Sequence, residues 1–276
     1  ESFKTYGDAA IITLSRPAGE GGDLTTNMKG WDDNYVEGQH QLELNKDEKD
    51  LIALAKANFE NVIVLVNSSA AMELGELEND ADIDAVLWIG FPGKTGFNSV
   101  GRILNGTVNP SGRTVDIYPA DLTKDPTFAN FGHYQYSNIS KKNATGDATF
   151  VQYEEGIYLG YRYYETAAVE GFINYEEAVV YPFGYGLSYT TFDWKVVDQK
   201  LGKTDETISV DVEVTNTGEF PGKEVVQVYY SAPYTKGGIE KAEVVLGDFA
   251  KTDILAPGAS QVVTLTFPVE DMASYD

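Results

Sequence analysis

The sequence predicts an α/β domain with a mainly parallel sheet, followed by an all-β domain. Up to about residue 120, short apolar runs alternate with segments of helical periodicity, an order typical of parallel α/β architecture. From about residue 191, apolar residues recur at every second position, as in half-buried strands. A length of 276 residues agrees with two such domains.

The first part contains the signals of alternating strands and helices. Asn45 and Glu48 stand in the relation of a capping box, and apolar residues at helical spacing follow them. Helices are also predicted over residues 72–77 and 97–104. Three apolar runs are typical of buried strands: residues 9–14, 61–66 and 85–89.

The middle region, residues 121–190, is rich in Tyr, Asn, Gly and Thr and has little periodicity. A connection of this length is either functional or disordered, because structureless loops beyond about 12 to 15 residues are uncommon. The aromatic content favours an ordered, packed connector. The predicted limits are therefore 1–120 for the α/β domain, 121–190 for the connector and 191–276 for the β-domain.

The last part has the pattern of a small β-sandwich. Turn sequences at residues 216–218 and 256–258 separate its alternating stretches. Several short strands in such an order indicate a sandwich of immunoglobulin or fibronectin type III kind. The alternating stretches are residues 208–214, 226–230 and 263–267.

The excess of acidic residues bears on which classes of binding partner are expected. The formal net charge is −23, from 43 acidic and 20 basic residues. A field of this sign repels a phosphate backbone or an anionic membrane surface, so neither nucleic acid nor membrane is an expected partner. Neutral ligands such as sugars are compatible with it. The acidity is explained equally well by solubility alone.

Composition also bears on metal sites and on location. The chain has no cysteine, which rules out disulfides and zinc–thiolate sites. His40 and His133, the only histidines, are far apart in sequence, so neither a transition-metal site nor a cofactor is expected. No stretch approaches the roughly 20 apolar residues of a membrane span, and no signal peptide opens the chain. The start at Glu1, without methionine, suggests a cut, mature or fragmentary chain.

One loop carries a candidate catalytic group. Residues 15–23 (SRPAGEGGD) directly follow the first predicted strand, and glycines stand on both sides of Glu20. Glycine lets the backbone take unusual dihedral angles and approach a ligand closely. Loops at strand ends are where α/β folds commonly place site residues.

Four further strings stand in order along the chain after this loop: residues 109–113 (NPSGR), 153–164 (YEEGIYLGYRYY), 181–192 (YPFGYGLSYTTF) and 269–276 (VEDMASYD). Together the five resemble glycoside hydrolase family 3, β-glucosidase type. The resemblance covers nearly the whole chain and identifies it with a C-terminal-type region. It implies part of an α/β sandwich, namely its second part, followed by a fibronectin type III-like β-sandwich.

Two details resemble a bacterial subgroup of that family. Residues 93–98 (GKTGFN) replace the family's more common Gly-Gln-Glu-Gly-Gly type of turn, and residues 114–116 (TVD) follow the NPSGR string. Both are similar to members in which the sandwich and the fibronectin-like domain precede a barrel. The implied location is the bacterial cytoplasm or outside the cell, with the cytoplasm favoured.

The resemblance implies a retaining hydrolysis of terminal, non-reducing β-D-glucosyl residues by two carboxyl groups. In the family the nucleophile is an aspartate of a separate (β/α)8 barrel, whose motifs this chain lacks. The acid/base corresponds to Glu20. Because retaining enzymes hold the two groups about 5 to 5.5 Å apart, Glu20 is expected to act across a domain boundary. The alternative for Glu20 is an ordinary solvated turn residue.

Four neighbours of Glu20 are weaker candidates for substrate binding. Arg16 is expected to pair with Asp23 or Glu20, or to serve the structure only. Asp23 either orients the loop, contacts substrate or caps a turn. Trp31 and Tyr35 form either an aromatic platform for an aglycone sugar or part of the core.

Two hypotheses for the whole chain are compatible with the sequence. The first is the acid/base-bearing part of a β-glucosidase, inactive by itself, with a β-glucoside or oligosaccharide as substrate. Its expected partners are a (β/α)8 barrel domain or chain of the same enzyme and a second copy of the chain in a homodimer. The second reading is a non-catalytic carbohydrate-binding or structural segment that retains the family fold.

Overall fold

A computed structural model describes residues 2–132, 134–138, 149–203 and 206–275. Of the sequence-based expectations, those for Glu1, His133, residues 139–148 of the connector, residues 204–205 of the β-domain and Asp276 fall outside the described residues. Within the described ranges, no helix is long and apolar enough to cross a membrane.

The α/β domain is built on three parallel strands, as predicted. They are β1 (Ala10–Ser15), β2 (Val62–Asn67) and β3 (Ala85–Trp88), in the order β1-β2-β3. The register places Ile12 beside Val64. The central strand is the most buried, with Val64 and Val66 inaccessible to solvent, which accounts for its unbroken apolar sequence.

The helix predicted from the capping box is confirmed as α1 (Lys46–Lys56). The Asn45 side chain accepts a hydrogen bond from the backbone N–H of Glu48 at 2.9 Å, and the Glu48 carboxylate accepts one from the N–H of Asn45 at 3.0 Å. Two donors that have no partner within the helix are satisfied in this way. Its buried residues Ile52 and Ala55 pack onto the sheet.

Two further helices differ from their predicted limits. The helix predicted over 72–77 is only α2 (Gly75–Glu78), because Met72 and Leu74 are buried in non-helical chain before it. The helix predicted over 97–104 is α3 (Gly93–Leu104) and begins four residues earlier. Gly96 belongs to the string 93–98 that replaces the family's turn, but it lies in the first turn of α3. A Cβ on Gly96 would lie 2.9 Å from Cβ of Pro92, so close packing in this helical turn requires a glycine.

The connector contacts the α/β domain near both of its ends: the N–H of Leu122 at its start donates to Glu73 at 2.6 Å, and a strand near its end pairs with one that precedes the connector. Strand β4 (Tyr118–Pro119) pairs with β7 (Val179–Tyr181), and Tyr118 and Tyr181 belong to the same core cluster as β1 and β2. Between these strands lie α4 (Pro126–Asn130), β5 (Tyr134–Gln135), β6 (Thr149–Phe150), α5 (Tyr161–Val169) and α6 (Tyr175–Ala178). Short 3-10 helices cover Ser2–Lys4, Leu122–Lys124 and Val269–Met272.

The β-domain is a sandwich of a three-stranded and a two-stranded antiparallel sheet within the described residues. The strands are β8 (Phe192–Lys200), β9 (Thr207–Asn216), β10 (Val225–Tyr230), β11 (Val245–Lys251) and β12 (Ser260–Pro268). One sheet has the order β12-β9-β8 and the other pairs β10 with β11. Val214 and Leu265 are fully buried between them. The predicted fold class, α/β followed by all-β, is confirmed.

Candidate functional site

Glu20 and its predicted neighbours all lie in one connection, residues 16–45, which runs from the end of β1 to the start of α1 and is called here the β1–α1 segment. It leaves the carboxyl edge of the parallel sheet, where α/β folds place their ligands. Asn67 ties that edge together: its Oδ1 accepts from the Ser15 hydroxyl at 3.0 Å, and its amide donates to the carbonyl of Gly90. These hydrogen bonds hold the end of β1, from which the β1–α1 segment starts, against the neighbouring strands.

Glu20 occupies the second position of a tight turn. The N–H of Gly22 donates to the carbonyl of Gly19 at 3.1 Å and closes the turn. Gly21, the third residue, has φ of 75°, the left-handed conformation that a type II turn requires there. The Glu20 side chain is exposed and has no hydrogen bond or ion pair with a described residue. Its carboxyl group is thus presented to solvent by a backbone of defined shape.

Arg16 does not pair with Asp23 or Glu20, and that expectation is wrong. The residue is buried, and its guanidinium forms a bidentate ion pair with Glu48, with Nη1–Oε1 and Nη2–Oε2 distances of 2.6 and 2.8 Å. The same group donates to the carbonyls of Ser15 and Glu43, at 2.8 and 2.5 Å, and to that of Gln41. All five contacts are inside the domain, which favours the structural alternative for Arg16.

The remaining predicted neighbours keep accessible side chains. Asp23 is exposed, with no described residue bonded to its carboxylate. Trp31 is 77% exposed, so burial in the core is wrong for this side chain. Tyr35 is half-buried, and its hydroxyl accepts a hydrogen bond from the N–H of Gly38 at 3.1 Å. The segment carries six acidic and two basic side chains, one of which is the paired Arg16, a balance that suits a neutral ligand better than an anion.

Sequence reasoning did not identify Gln41, although it contacts both sides of the Glu20 turn. The backbone N–H of Gln41 donates to the carbonyl of Thr25 at 2.9 Å, and its Oε1 accepts from the N–H of Thr25 at 2.9 Å. Its side-chain amide donates to the carbonyl of Pro17 at 3.4 Å. Gln41 stands between His40 and Leu42 in no recognisable motif, and its partners Pro17 and Thr25 are separated from it by a long loop, so the sequence carries no signal for its contacts.

The part of the chain that the structure describes contains no group of three or more His, Asp or Glu side chains arranged to hold a metal ion. A shallow groove of about 430 Å³ lies elsewhere, between β1 and α1, and none of its lining residues belongs to the β1–α1 segment. It is apolar, and Ile11, Leu51 and Leu54 in it are about half exposed. Strand β1 pairs only with β2 among the described strands, so its outer edge beside this groove is open.

Comparison with known proteins places these features in a family. The model of the glycosyl hydrolase family 3 C-terminal domain matches residues 3–161, and that of the fibronectin type III-like domain matches residues 224–276. Beta-glucosidase A of Butyrivibrio fibrisolvens is 39% identical over 98% of this chain and 33% of its own length. A beta-glucosidase of Ruminococcus albus is 35% identical over 98% of this chain and 24% of its own length. The chain thus spans a quarter to a third of these curated relatives.

Solved structures give the same result. A beta-glucosidase from Paenibacillus barengoltzii superimposes with a TM-score of 0.79 at 38% identity, covering 99% of this chain and 26% of that one. Beta-glucosidase 3B from Thermotoga neapolitana in complex with glucose gives 0.77 at 34% identity, covering 100% of this chain and 34% of that one. The family-model match extends over more than half of the residues and includes the Glu20 turn. The chain therefore belongs to glycoside hydrolase family 3, as a C-terminal part of such an enzyme.

Proposed function

We propose that this chain is the acid/base-bearing part of a retaining, exo-acting β-glucosidase that removes terminal, non-reducing β-D-glucosyl residues. The observation that carries the proposal is the exposed Glu20 on a closed turn at the carboxyl edge of the parallel sheet. The names of the relatives support the choice of β-glucosides as substrate class.

The proposed reaction has two steps. In the first, a nucleophilic aspartate outside this chain attacks the anomeric carbon, the glycosidic C–O bond breaks, and Glu20 transfers its proton to the departing oxygen. In the second, Glu20 as carboxylate takes a proton from water, whose oxygen attacks the anomeric carbon and releases the aspartate. Both carboxyl groups return to their starting states. The exposure of Glu20 fits a group that meets its reaction partner from another part of the protein.

The other accessible side chains have proposed binding roles. Trp31 would offer an aromatic face to an aglycone sugar, and Tyr35 would extend that surface with its half-buried ring. Asp23 would accept a hydrogen bond from a sugar hydroxyl. Arg16 has no part in binding, because every one of its hydrogen bonds holds the domain together.

The partner part of the enzyme is proposed to be a (β/α)8 barrel that carries the nucleophile. The short share of each relative that the chain covers leaves ample length for such a domain. A homodimer and a permuted domain order remain predictions. Sedimentation of the full-length enzyme at several concentrations tests the dimer.

The test of the function is Glu20→Ala in the full-length enzyme that contains this chain. We expect a loss of about 10²- to 10⁴-fold in turnover of β-glucosides, the usual contribution of general acid–base catalysis. Azide, a nucleophile that needs no base, should restore turnover of activated aryl glucosides. Glu37→Ala, at another exposed carboxylate of the β1–α1 segment, is the matched control and should leave the rate unchanged. A fully active Glu20→Ala enzyme would leave only the non-catalytic, carbohydrate-binding or structural reading.

A further inference from the structure

Gln41 holds the segment that contains Glu20 at both ends. Two of its hydrogen bonds join it to Thr25 and one joins it to Pro17, and the chain between those two residues contains the Glu20 turn. The Glu20 side chain itself has no partner among the described residues. The position of its carboxyl group is therefore set by the backbone, and the backbone of residues 18–24 is set by what holds its two ends.

Gln41 is itself fixed to the domain rather than to the loop. Its carbonyl accepts a hydrogen bond from Nε of the buried Arg16. The adjacent His40 is also buried: its Nε2 lies 3.0 Å from Oε1 of Glu73, and its Nδ1 accepts from the N–H of Leu42 at 3.2 Å. The same Glu73 oxygen accepts from the N–H of Leu122 at 2.6 Å. Residues 39–42 are thus anchored on two sides before Gln41 reaches towards the turn.

We propose that Gln41 is the positioning residue for the acid/base, holding residues 17 and 25 at a fixed separation so that the Glu20 carboxyl meets the glycosidic oxygen. This inference rests on the proposed function. Catalytic groups need placement within about 0.5 Å, and a displacement of about 1 Å can cost about 100-fold in rate. An exposed carboxyl on a glycine-rich turn has little else to hold it, since glycine adds backbone freedom.

The experiment compares Gln41→Met with Gln39→Met in the full-length enzyme. Methionine has similar length but neither donates nor accepts the amide's hydrogen bonds. Gln39 is a matched control, because it is a buried glutamine on the same stretch whose side chain also makes two hydrogen bonds. Those bonds go to Val36 and Asp32, and neither touches Pro17 or Thr25.

The readout is how the rate depends on the leaving group. Alkyl glucosides need their leaving oxygen protonated, whereas dinitrophenyl glucoside does not. For Gln41→Met we expect kcat/KM for methyl β-glucoside to fall about 10- to 100-fold and that for dinitrophenyl β-glucoside to fall less than about threefold. Azide should raise its kcat on the dinitrophenyl substrate, since misplacement of the base also slows the second step. Gln39→Met should change both substrates by the same factor and show no azide effect.

Each outcome has a distinct meaning. If Glu20→Ala loses activity and recovers with azide, while Gln41→Met lowers both substrates equally or not at all, the positioning role is wrong and the proposed function stands. If Glu20→Ala is fully active, the proposed function itself is wrong. Urea midpoints of the two glutamine variants, measured in parallel, separate a placement effect from a general loss of stability, which would act on both substrates alike.

Discussion

Arg16 and Glu48 form a bidentate ion pair, and Glu48 is at the same time the residue that closes the capping box of α1. One carboxylate thereby connects the first residue after β1 with the start of the helix, at the two ends of the long loop between them. The pair is largely sheltered, with side-chain exposures of 7% for Arg16 and 17% for Glu48. Loss of either partner therefore leaves a charge with little access to water.

Arg16→Met should destabilise the protein by about 3 kcal/mol, in the range measured when one member of a buried ion pair is removed. Arg16→Lys should recover only part of this, because a lysine cannot make the forked contact or reach three carbonyls at once. Urea unfolding followed by circular dichroism measures both. Asp50→Asn, which removes the exposed pair with Lys46, is the control and should leave the midpoint in place. A stability loss no larger than that of the control would show that the pair contributes nothing.

Gly21→Ala should disturb the Glu20 turn through the backbone alone. A Cβ at this position meets no neighbour within 4 Å, so the cost of about 1 kcal/mol arises from φ of 75°. If the turn relaxes, Glu20 moves, and turnover of β-glucosides by the full-length enzyme should fall by about tenfold or more. Gly19→Ala also meets open space, but Gly19 has no positive φ. It should retain wild-type stability in urea unfolding. Equal stability of the two variants would contradict the strained-turn explanation.

Trp31→Ala should weaken the binding of substrates with a sugar aglycone without affecting stability. Covering about 40 to 60 Å² of apolar surface on the indole and the sugar gives about 1 kcal/mol at about 25 cal/mol/Å², or a rise of about fivefold in KM. Methyl β-glucoside, which has no second sugar, should keep its KM. The matched control is Trp194→Ala, at a half-exposed tryptophan of the β-sandwich. A KM for disaccharides that equals the wild-type value would remove Trp31 from the proposed binding surface.

Alkaline pH should destabilise the α/β core through its tyrosines. Burial raises the pKa of Tyr118 to about 12. Burial also raises the pKa of Tyr181, and the hydrogen bond that the Tyr181 hydroxyl donates to Glu78 raises it further. Because the folded state holds these protons more tightly, their contribution to stability is complete below pH ~10, the unfolded value, and is lost as pH rises beyond it.

Thermal unfolding between pH 8 and 11 measures this effect. Tyr181→Phe should lose less stability across that interval than the wild type, although it starts lower at pH 8. Tyr153→Phe, at a tyrosine that is 80% exposed, should follow the wild-type curve. Parallel curves for wild type and Tyr181→Phe would mean that Tyr181 does not contribute to the alkaline transition.

The sequence predicted the parts of the fold that local signals determine. Strands β1, β2 and β3, helix α1 with its cap and three strands of the β-sandwich all have unbroken periodicity. Strand β8 was not predicted, although Phe192, Trp194 and Val196 alternate with polar residues, because the alternation breaks after Val196, where the register with β9 shifts. Strand β11 was missed because Gly247 and Asp248 interrupt its apolar residues.

In the candidate site, too, residues marked by local sequence signals were predicted, and contacts between distant residues were not. Glu20 was predicted because glycines and a strand end mark its loop, and the resemblance to a family implied its role, which stays a prediction. For Arg16 the structural alternative is the one that the contacts favour, but its partner Glu48 was not predicted, because Glu48 is distant in sequence and its capping role already explained it. Gln41 was missed altogether, since its contacts exist only after the long segment has folded back on itself.

The open edge of β1 has a consequence for how the whole enzyme would lose and regain activity. The groove beside this edge is lined by α1, the helix whose Glu48 holds Arg16 at the base of the Glu20 segment. If another part of the enzyme covers the groove, its arrival fixes the helix, and through it the β1–α1 segment. Turnover would then depend on the assembly of the two parts. Dilute urea would abolish turnover before either part loses its secondary structure, and on refolding turnover would return after the secondary structure.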